Sequence, residues 1–225
     1  MIVVTGASKG IGRAICERLL SSNVEIFGLA RDVTHVPFES MNCDVSSYDE
    51  VKQVAQILKR SGKKLSGLIN AAGIASMNLA VTTPHKVAEN IIETNLLGTI
   101  YCCQLFSPMI FRHKTGSIIN FSTIAVALGL KGESIYVASK AGVEGFTRAF
   151  AREMADFNVI VNCIAPGPID TSLLKGITSA QISRIVSQQI LQRQFTTDAV
   201  CDLVEILLDS RSQSLSGQVL HVGGV

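Results

Sequence analysis

The chemistry predicted for this chain centres on a tyrosine and a lysine that lie four residues apart. Residues 120 to 140 read NFSTIAVALGLKGESIYVASK, with Tyr136, Lys140 and two adjacent hydroxyl residues, Ser122 and Thr123. Residues four apart on a helix share one face, so the tyrosine and the lysine can act together. A free tyrosine titrates at about 10, and a nearby ammonium favours the phenolate and lowers that pKa. The pair predicts proton exchange with a substrate oxygen, supported by one of the two hydroxyls.

A second group of residues has the spacing of a phosphate-binding loop. The chain begins MIVVTGASKGIGRAI, which places Gly6, Gly10 and Gly12 between an apolar run and a helical pattern. Glycines let the backbone turn tightly and approach a pyrophosphate, while a helix N-terminus offers N–H groups and a partial positive charge. This arrangement predicts a dinucleotide site.

The residues after the second apolar run favour a phosphorylated dinucleotide. An NAD site usually has an acid at the end of the second strand, whereas Ala30 stands there and Arg31 follows it. Lys9 stands just before Gly10, so two cations can meet a 2′-phosphate. The cofactor is therefore predicted to be NADPH. Asp32 argues in the other direction, and in the alternative interpretation Arg31 is only a solvated loop residue.

These residues need a scaffold of alternating strands and helices, which the apolar pattern provides. Short apolar runs typical of strands are IVVT, EIFGLA, GLINAAG, GSIINFS, VIVNCIA and GQVLHV. Between them, residues 12–22, 47–62, 84–106, 136–157 and 197–210 carry apolar positions at helical spacing. The alternation predicts an α/β fold, a doubly wound parallel sheet with helices on both faces. Only thirteen positions separate Arg31 from Asp44, too few for a full helix after the second strand.

Composition predicts one globular domain over residues 1–225. Apolar residues make up 47% of the chain and charged residues 17%, with a formal net charge of +2 and no basic block. We therefore expect a large core and no nucleic-acid partner. The six cysteines lack metal-ligand spacing, so buried free thiols and no metal site are expected. Without a charged leader or a long apolar run, the chain is expected to be cytoplasmic, with no membrane partner.

Six motifs together resemble those of the short-chain dehydrogenase/reductase family. They are TGASKGIG, CDVS, NAAG, NLLG, YVASK and NCIAPGPIDT, in the order and at the spacing of that family along the whole chain. The resemblance implies a Rossmann-type sheet of about seven strands. It also implies that Lys140 binds the nicotinamide ribose, that Asn95 supports a proton-relaying water, and that the catalytic set is Asn95, Thr123, Tyr136 and Lys140.

The same resemblance assigns the cofactor contacts. Asp44 and Val45 are expected near the adenine, NAAG under the cofactor, and the PGPIDT loop at the nicotinamide carboxamide. The expected cofactor-binding residues are Gly6, Ser8, Lys9, Gly10, Ile11, Gly12, Arg31, Asp44, Val45, Asn70, Ala71, Gly73, Tyr136, Lys140, Pro166, Gly167, Ile169 and Thr171.

The resemblance also decides between the two hydroxyls. The family's catalytic serine lies thirteen positions before the tyrosine, which here is Thr123, whereas Ser122 lies fourteen before. Adjacent strand residues point to opposite faces, so only one of the two is expected to reach the substrate carbonyl. Thr123 keeps the hydroxyl donor but adds a methyl group and a stiffer χ1. In the alternative, Thr123 only packs and Ser122 acts.

Within the family, the frame most resembles the β-ketoacyl-acyl carrier protein reductases. This implies hydride transfer to a 3-oxoacyl thioester, with an acyl carrier protein as a possible partner. Such enzymes dock the acidic carrier through basic residues near the site entrance; Lys114 matches one position, but Phe157 stands where an arginine is common. Alternatives are an NAD(P)-dependent dehydrogenase or reductase of a free small alcohol, sugar or polycyclic ketone, and a non-catalytic dinucleotide sensor.

Two further expectations concern the periphery of the site and the assembly. Residues 171–193 are expected to form a substrate lid with possible apolar walls, namely Leu173, Leu174, Ile177, Ile182 and Ile185. The helical stretches 88–106 and 141–154 resemble those that pair across a two-fold interface in the family. A homotetramer or homodimer is therefore expected.

Overall fold

The computed structural model describes residues 1–171 and 178–225, and these contain a parallel seven-stranded sheet of order β3-β2-β1-β4-β5-β6-β7. The strands are β1 (Ile2–Thr5), β2 (Ile26–Ala30), β3 (Ser40–Asn42), β4 (Gly67–Asn70), β5 (Gly116–Phe121), β6 (Val159–Pro166) and β7 (Val219–Val222). The helices are α1 (Gly10–Ser21), α2 (Tyr48–Arg60), α3 (His85–Ile92), α4 (Gly98–Ile110), α5 (Ala125–Leu128), α6 (Ser134–Ala155), α7 (Ser179–Val186) and α8 (Thr197–Leu208). The predicted doubly wound α/β fold is confirmed.

The sheet is buried on both faces, as the continuous apolar character of its strands predicts. All residues of β1, β2 and β4 are buried. One face packs against α2, α4 and α6, with Leu58, Phe106 and Phe150 in its core. The other packs against α1 and α8 through residues such as Ile15 and Val204. Burial on both sides removes water from the strands, and the parallel ladder then satisfies their backbone groups.

The sequence pattern missed β3, the edge strand. Ser40–Asn42 has only three residues, which are exposed or half-buried, so no apolar run marks it. Its pairing with β2 comes from the ladder, in which Gly28, Leu29 and Ala30 lie opposite Ser40, Met41 and Asn42. Backbone hydrogen bonding, which no side-chain pattern records, therefore defines this strand.

The connection between β2 and β3 contains no helix, as predicted. A Cβ atom on Gly28 would lie 2.7 Å from the ring of Phe38, so this ring covers the strand where a helix would otherwise pack. The predicted helix over 84–106 is also modified, because a π-helical segment, Glu93–Leu97, lies between α3 and α4. Such π segments occur frequently at functional sites.

The chain winds outward from β1 in both directions, to β2 on one side and to β4 on the other. In open α/β sheets, ligands bind at the carboxyl ends of the strands where the order reverses. The fold therefore places the candidate site above the ends of β1 and β4.

The described residues also bear on the cysteines and on membranes. All six cysteines are buried and free, as expected. In the described ranges no group of His, Cys, Asp or Glu has the arrangement of a metal site, and no helix has the length and apolarity needed to cross a membrane.

Candidate active site

A cavity of about 520 Å³ opens at the carboxyl ends of the strands and contains most of the predicted site. Its walls include these predicted residues: Gly6, Ser8, Lys9, Gly10, Ile11, Gly12, Arg31, Asp44, Val45, Ala71, Gly73, Thr123, Tyr136, Lys140, Pro166, Gly167, Ile169 and Thr171. Asn70 and Asn95 lie behind the walls and are buried. Residues far apart in sequence therefore converge on one site.

The glycine loop at one end of the cavity has the geometry that a dinucleotide requires. Gly6 and Gly10 have φ values of 70° and 58°, a region that favours glycine. A Cβ atom on Gly12 would lie 2.4 Å from the carbonyl oxygen of Gly6, so no larger residue fits between the loop and α1. The N-terminus of α1 opens into this cradle and supplies N–H groups and its partial positive charge. The residues present fit a bound pyrophosphate.

Beside this loop, the cavity wall is cationic. Lys9 and Arg31 are exposed in the wall, and neither forms an ion pair with another residue in the described ranges. The nearby Asp32 is engaged elsewhere, since its Oδ1 accepts hydrogen bonds from the backbone N–H (2.9 Å) and the hydroxyl (2.6 Å) of Thr34. These bonds lower the pKa of Asp32. The carboxylate that argued against NADPH in the sequence thus stabilises its own loop, while the two cations remain open to a ligand.

Asp44 and Val45 form the next part of the wall, after β3. Asp44 Oδ1 accepts hydrogen bonds from the N–H (3.0 Å) and the hydroxyl (2.7 Å) of Ser46, which fixes the turn before α2. Val45 packs closely against Gly98, the first residue of α4. Both residues thus line the cavity, and their contact with the adenine stays a prediction from the family resemblance.

The two hydroxyls after β5 have different surroundings. Ser122 is buried, and its hydroxyl donates a 2.7 Å hydrogen bond to Oε1 of Glu144 on α6. Thr123 is half-buried, and its hydroxyl contacts Tyr136 in the cavity while also accepting a 3.2 Å bond from the N–H of Ala125. The hydroxyl beside the tyrosine is therefore that of Thr123, as the spacing predicted.

The titration behaviour of Tyr136 is opposite to the sequence-based expectation. Burial, and then the charge of Glu133, raise the pKa of Tyr136 above its ordinary value, while the Thr123 hydrogen bond partly opposes this. Lys140, whose ammonium donates a 2.8 Å hydrogen bond to the carbonyl of Phe121, does not lower it here. Burial lowers the pKa of Lys140 to about 8. The expected lowering of the Tyr136 pKa was wrong: the phenol keeps its proton at neutral pH, and the raised pKa makes it a weaker acid than a tyrosine whose pKa lies near the working pH.

Three contacts attach the helix that carries Tyr136 to the strand that precedes Thr123. Lys140 binds the Phe121 carbonyl, Glu144 binds the Ser122 hydroxyl, and Thr147 accepts a 2.9 Å bond from Asn120 Nδ2. The three helix residues lie at spacings of four and three, which form one stripe on α6. This stripe fixes the position of α6 on β5, and with it the distance between the phenol and the Thr123 hydroxyl.

Asn95, in the π-helical segment, stabilises the opposite wall. Its Oδ1 accepts from the N–H of Ile74 (2.8 Å), and its Nδ2 donates to the carbonyl of Ile74 (2.9 Å) and to the hydroxyl of Ser139 (3.0 Å). A Cβ atom on Gly73 would lie 3.3 Å from Asn95 Oδ1 and 3.4 Å from Lys140 Nζ, so the three groups adjoin. Asn95 therefore links the NAAG segment to the catalytic helix.

Asn70, expected at the cofactor, instead lies in the core. Its Nδ2 donates to Asn120 Oδ1 at 2.8 Å and contacts the thiol of Cys103 at 3.3 Å. Asn70 is therefore buried at the end of β4 and does not line the cavity.

The loop after β6 closes the reacting end of the cavity. A Cβ atom on Gly167 would overlap the side-chain oxygen of Gln189, which is buried at this point. Gln189 Nε2 donates to the carbonyls of Leu191 and Arg193, which fixes the turn of the segment after α7 beside the loop. Of the expected apolar lid residues, Ile185 lines the cavity and Ile182 does not. Leu173, Leu174 and Ile177 lie outside the described residues.

Sequence reasoning missed two acidic residues on the catalytic helix face. Glu133 lines the cavity three residues before Tyr136, and Glu144 binds Ser122 four residues after Lys140. Both positions follow from the spacing that identified Tyr136 and Lys140. The same periodicity could therefore have found them.

The basic residue expected near the entrance lies elsewhere in the subunit. Lys114 comes immediately before β5, and Phe157 lies just before β6, where it stacks on Phe111 with ring centroids 4.4 Å apart. These are the amino ends of the strands, whereas the cavity lies at their carboxyl ends. The expectation that Lys114 adjoins the entrance is wrong within one subunit, because the length of β5 separates them.

Comparison with known proteins identifies relatives of this chain. The sequence model of a family described as enoyl-(acyl carrier protein) reductase matches residues 6–224. A 3-oxoacyl-[acyl-carrier-protein] reductase, FabG, of Staphylococcus epidermidis is 30% identical, and the match covers 99% of this chain and 96% of that protein.

Solved structures agree with this assignment. The ligand-free aldohexose dehydrogenase AldT of Thermoplasma acidophilum superposes with a TM-score of 0.89 at 30% identity, over 99% of this chain and 92% of that one. ElxO with NADP bound superposes with a TM-score of 0.88 at 28% identity, over 98% and 96% of the two chains. The chain therefore belongs to the short-chain dehydrogenase/reductase family and is an NAD(P)-dependent oxidoreductase.

Proposed function

We propose that this protein is an NADPH-dependent carbonyl reductase whose substrate is a 3-oxoacyl thioester. The observation that carries the proposal is the contact of the Thr123 hydroxyl with a protonated Tyr136 inside the dinucleotide cavity. When bound, NADPH supplies the hydride that reduces the carbonyl carbon. Tyr136 donates its proton to the developing alkoxide, and the Thr123 hydroxyl donates a hydrogen bond to the same oxygen.

Lys140 and Asn95 support this step from behind the tyrosine. Lys140 is buried in the cavity wall, and its ammonium lies beside Gly73 and the Phe121 carbonyl. In the proposal it binds the cofactor ribose and returns a proton to Tyr136. Asn95 positions the segment next to Lys140 and so maintains the end of the proton path.

The choice of NADPH over NADH rests on charge. Lys9 and Arg31 can neutralise a 2′-phosphate, and Arg31 can bind it through two N–H groups. Ala30 offers no carboxylate to a free ribose hydroxyl, and Asp32 is bonded to Thr34. The NADP bound to the related ElxO is consistent with this preference.

The 3-oxoacyl substrate is supported by the FabG relatives and by an apolar wall. Ile124, Leu130 and Ile185 line the same cavity as Tyr136 and suit an acyl chain. The matching relatives are named as reductases of carrier-bound substrates, so an acyl carrier protein is the proposed partner and fatty acid biosynthesis the proposed context. Since Lys114 lies far from the entrance of its own subunit, a carrier would need other basic groups or those of a neighbouring copy.

A homotetramer or homodimer in the cytoplasm completes the proposal. The family resemblance pairs the stretches 88–106 and 141–154, which here form parts of α3, α4 and α6. Light scattering at micromolar protein concentration tests this assembly, and a stable monomer would contradict it.

A second candidate is the oxidation or reduction of a free alcohol or sugar. It is favoured by the structural likeness to an aldohexose dehydrogenase and by Phe157 at the position of a common carrier-binding arginine. A sensor without turnover is disfavoured by the assembled Thr123, Tyr136 and Lys140.

The deciding experiment is a substrate panel with the purified protein. The panel contains acetoacetyl thioesters of N-acetylcysteamine and of acyl carrier protein, aldohexoses, and cyclic ketones or alcohols. Each compound is supplied with NADPH or NADP⁺. The proposal expects the highest kcat/KM for a thioester. A higher value for an aldohexose would establish the second candidate, and no turnover of any compound would support the sensor.

A further inference from the structure

The mechanism leaves one charged side chain at the reacting end of the cavity without a role. Glu133 immediately precedes α6 and lies one helical turn before Tyr136, and both residues line the cavity. The wall of the same cavity includes the apolar residues Ile124, Leu130 and Ile185. Within residues 1–171 and 178–225, the carboxylate forms no hydrogen bond and no ion pair. Because the carboxylate is half-buried in the cavity wall and has no protein partner there, a ligand that enters this end of the cavity meets its charge.

The charge of Glu133 acts on the place where the substrate oxygen would bind. After burial, this carboxylate is the next largest influence that raises the pKa of Tyr136. Burial also raises the pKa of Glu133 itself. A carbonyl held by Tyr136 therefore brings the rest of the substrate within reach of a negative charge in a partly dry pocket, where Coulomb interactions are stronger than in water.

The other charges of the cavity do not cancel this effect. Lys140 lies behind the tyrosine and directs its ammonium to the Phe121 carbonyl. Lys9 and Arg31 belong to the opposite end, beside the glycine loop. Among the described wall residues, Glu133 is the carboxylate next to the tyrosine.

We propose that Glu133 selects substrates by charge, accepting neutral or cationic ketones and rejecting those with an anionic group close to the carbonyl. The inference rests on the proposed reductase function and narrows its substrate class. A 3-oxoacyl thioester is neutral around its ketone, whereas the corresponding free 3-oxo acid carries a carboxylate two carbons away. The enzyme thus reduces the thioester and excludes the free acid.

The test uses three small ketones of similar size and different charge. Acetoacetate is anionic, methyl acetoacetate is neutral, and 4-(trimethylammonio)butan-2-one is cationic. Values of kcat/KM with NADPH are measured for the unmodified protein and for Glu133→Gln, which keeps the size and removes the charge. The matched control is Glu153→Gln, which removes an exposed charge near the other end of α6. Dissociation constants of the same ligands with the NADP⁺ complex are measured by calorimetry.

We expect the unmodified protein to prefer methyl acetoacetate over acetoacetate by roughly 10- to 100-fold, the range for like charges in a partly solvated site. The cationic ketone should perform at least as well as the neutral one. Glu133→Gln should bring the neutral-to-anionic ratio to within about threefold, mainly by improving acetoacetate. Glu153→Gln should leave the ratio unchanged.

Equal use of acetoacetate and methyl acetoacetate by the unmodified protein would overturn the proposal. A Glu133→Gln variant that weakens all three ketones alike would do so as well, since that result indicates a structural role. If no ketone is reduced, the proposed reductase function fails. The dissociation constants of the three ligands then test the charge selection, which expects acetoacetate to bind more weakly than the neutral and the cationic ketone. Absence of that order, or of any binding, overturns it.

Discussion

Mutation of the two adjacent hydroxyl residues should affect different properties, the catalytic rate for Thr123 and the stability of the fold for Ser122. Thr123→Val keeps the shape and removes the donor beside Tyr136, so kcat should fall roughly 10²–10³-fold, as with loss of an oxyanion donor. Cofactor affinity should barely change, because Thr123 acts on the substrate oxygen. Thr123→Ser should retain most activity, since only a methyl group is lost.

Ser122→Ala should instead lower stability. It removes a buried 2.7 Å hydrogen bond to the Glu144 carboxylate, a type of bond that contributes about 1.5–3 kcal/mol. For a chain of this length, this corresponds to a fall in Tm of roughly 3–12 °C. Its kcat should remain closer to that of the unmodified enzyme than that of Thr123→Val.

The assay combines steady-state kinetics with thermal unfolding for the three variants. A crippled Ser122→Ala together with a normal Thr123→Val would refute the reasoning. That result would mean that Ser122, and not Thr123, faces the substrate at the end of β5, and that the thirteen-residue spacing identified the wrong hydroxyl.

Three further predictions test the cofactor loop, the ribose end and the buried lysine. Gly12→Ala should abolish measurable NADPH binding in a fluorescence titration, because the added Cβ would lie 2.4 Å from the Gly6 carbonyl oxygen. Arg31→Ala should reduce the NADPH-to-NADH preference by roughly 10-fold or more, the value of a bidentate charged contact, and an unchanged ratio would contradict the assignment. Burial lowers the pKa of Lys140 to about 8, against 10.5 for a free lysine. Between these pH values Lys140 has lost its proton in the folded protein but keeps it in the unfolded chain. The free energy of unfolding of the apoprotein, measured in urea titrations and compared with that of Lys140→Met, should therefore rise with pH by up to about 3 kcal/mol.

The parts of the fold predicted correctly are those that side-chain pattern controls. Buried strands such as β1 and β4 are continuous apolar runs, and α2 has apolar residues at helical spacing. The edge strand β3 was missed because its three residues owe their conformation to pairing with β2. The π-helical segment around Asn95 was missed for a similar reason, since its amide is held by contacts distant in sequence.

The candidate site shows the same division. Spacing identified Gly12, Thr123, Tyr136 and Lys140 as groups that meet in one cavity. Spacing could not give the titration of Tyr136, because burial and the direction of the Lys140 ammonium depend on the packed structure. The family resemblance also placed Lys114 near the entrance, which the direction of β5 excludes within one subunit.

The central claim is that Tyr136 donates the proton during NADPH-dependent reduction of a ketone. The most direct measurement is single-turnover oxidation of NADPH by the unmodified protein and by Tyr136→Phe, with saturating acetoacetyl-N-acetylcysteamine. We expect the unmodified protein to turn over and the variant to be slower by roughly 10³-fold or more, a loss much larger than any change in NADPH affinity. Equal rates for the two proteins would contradict the account.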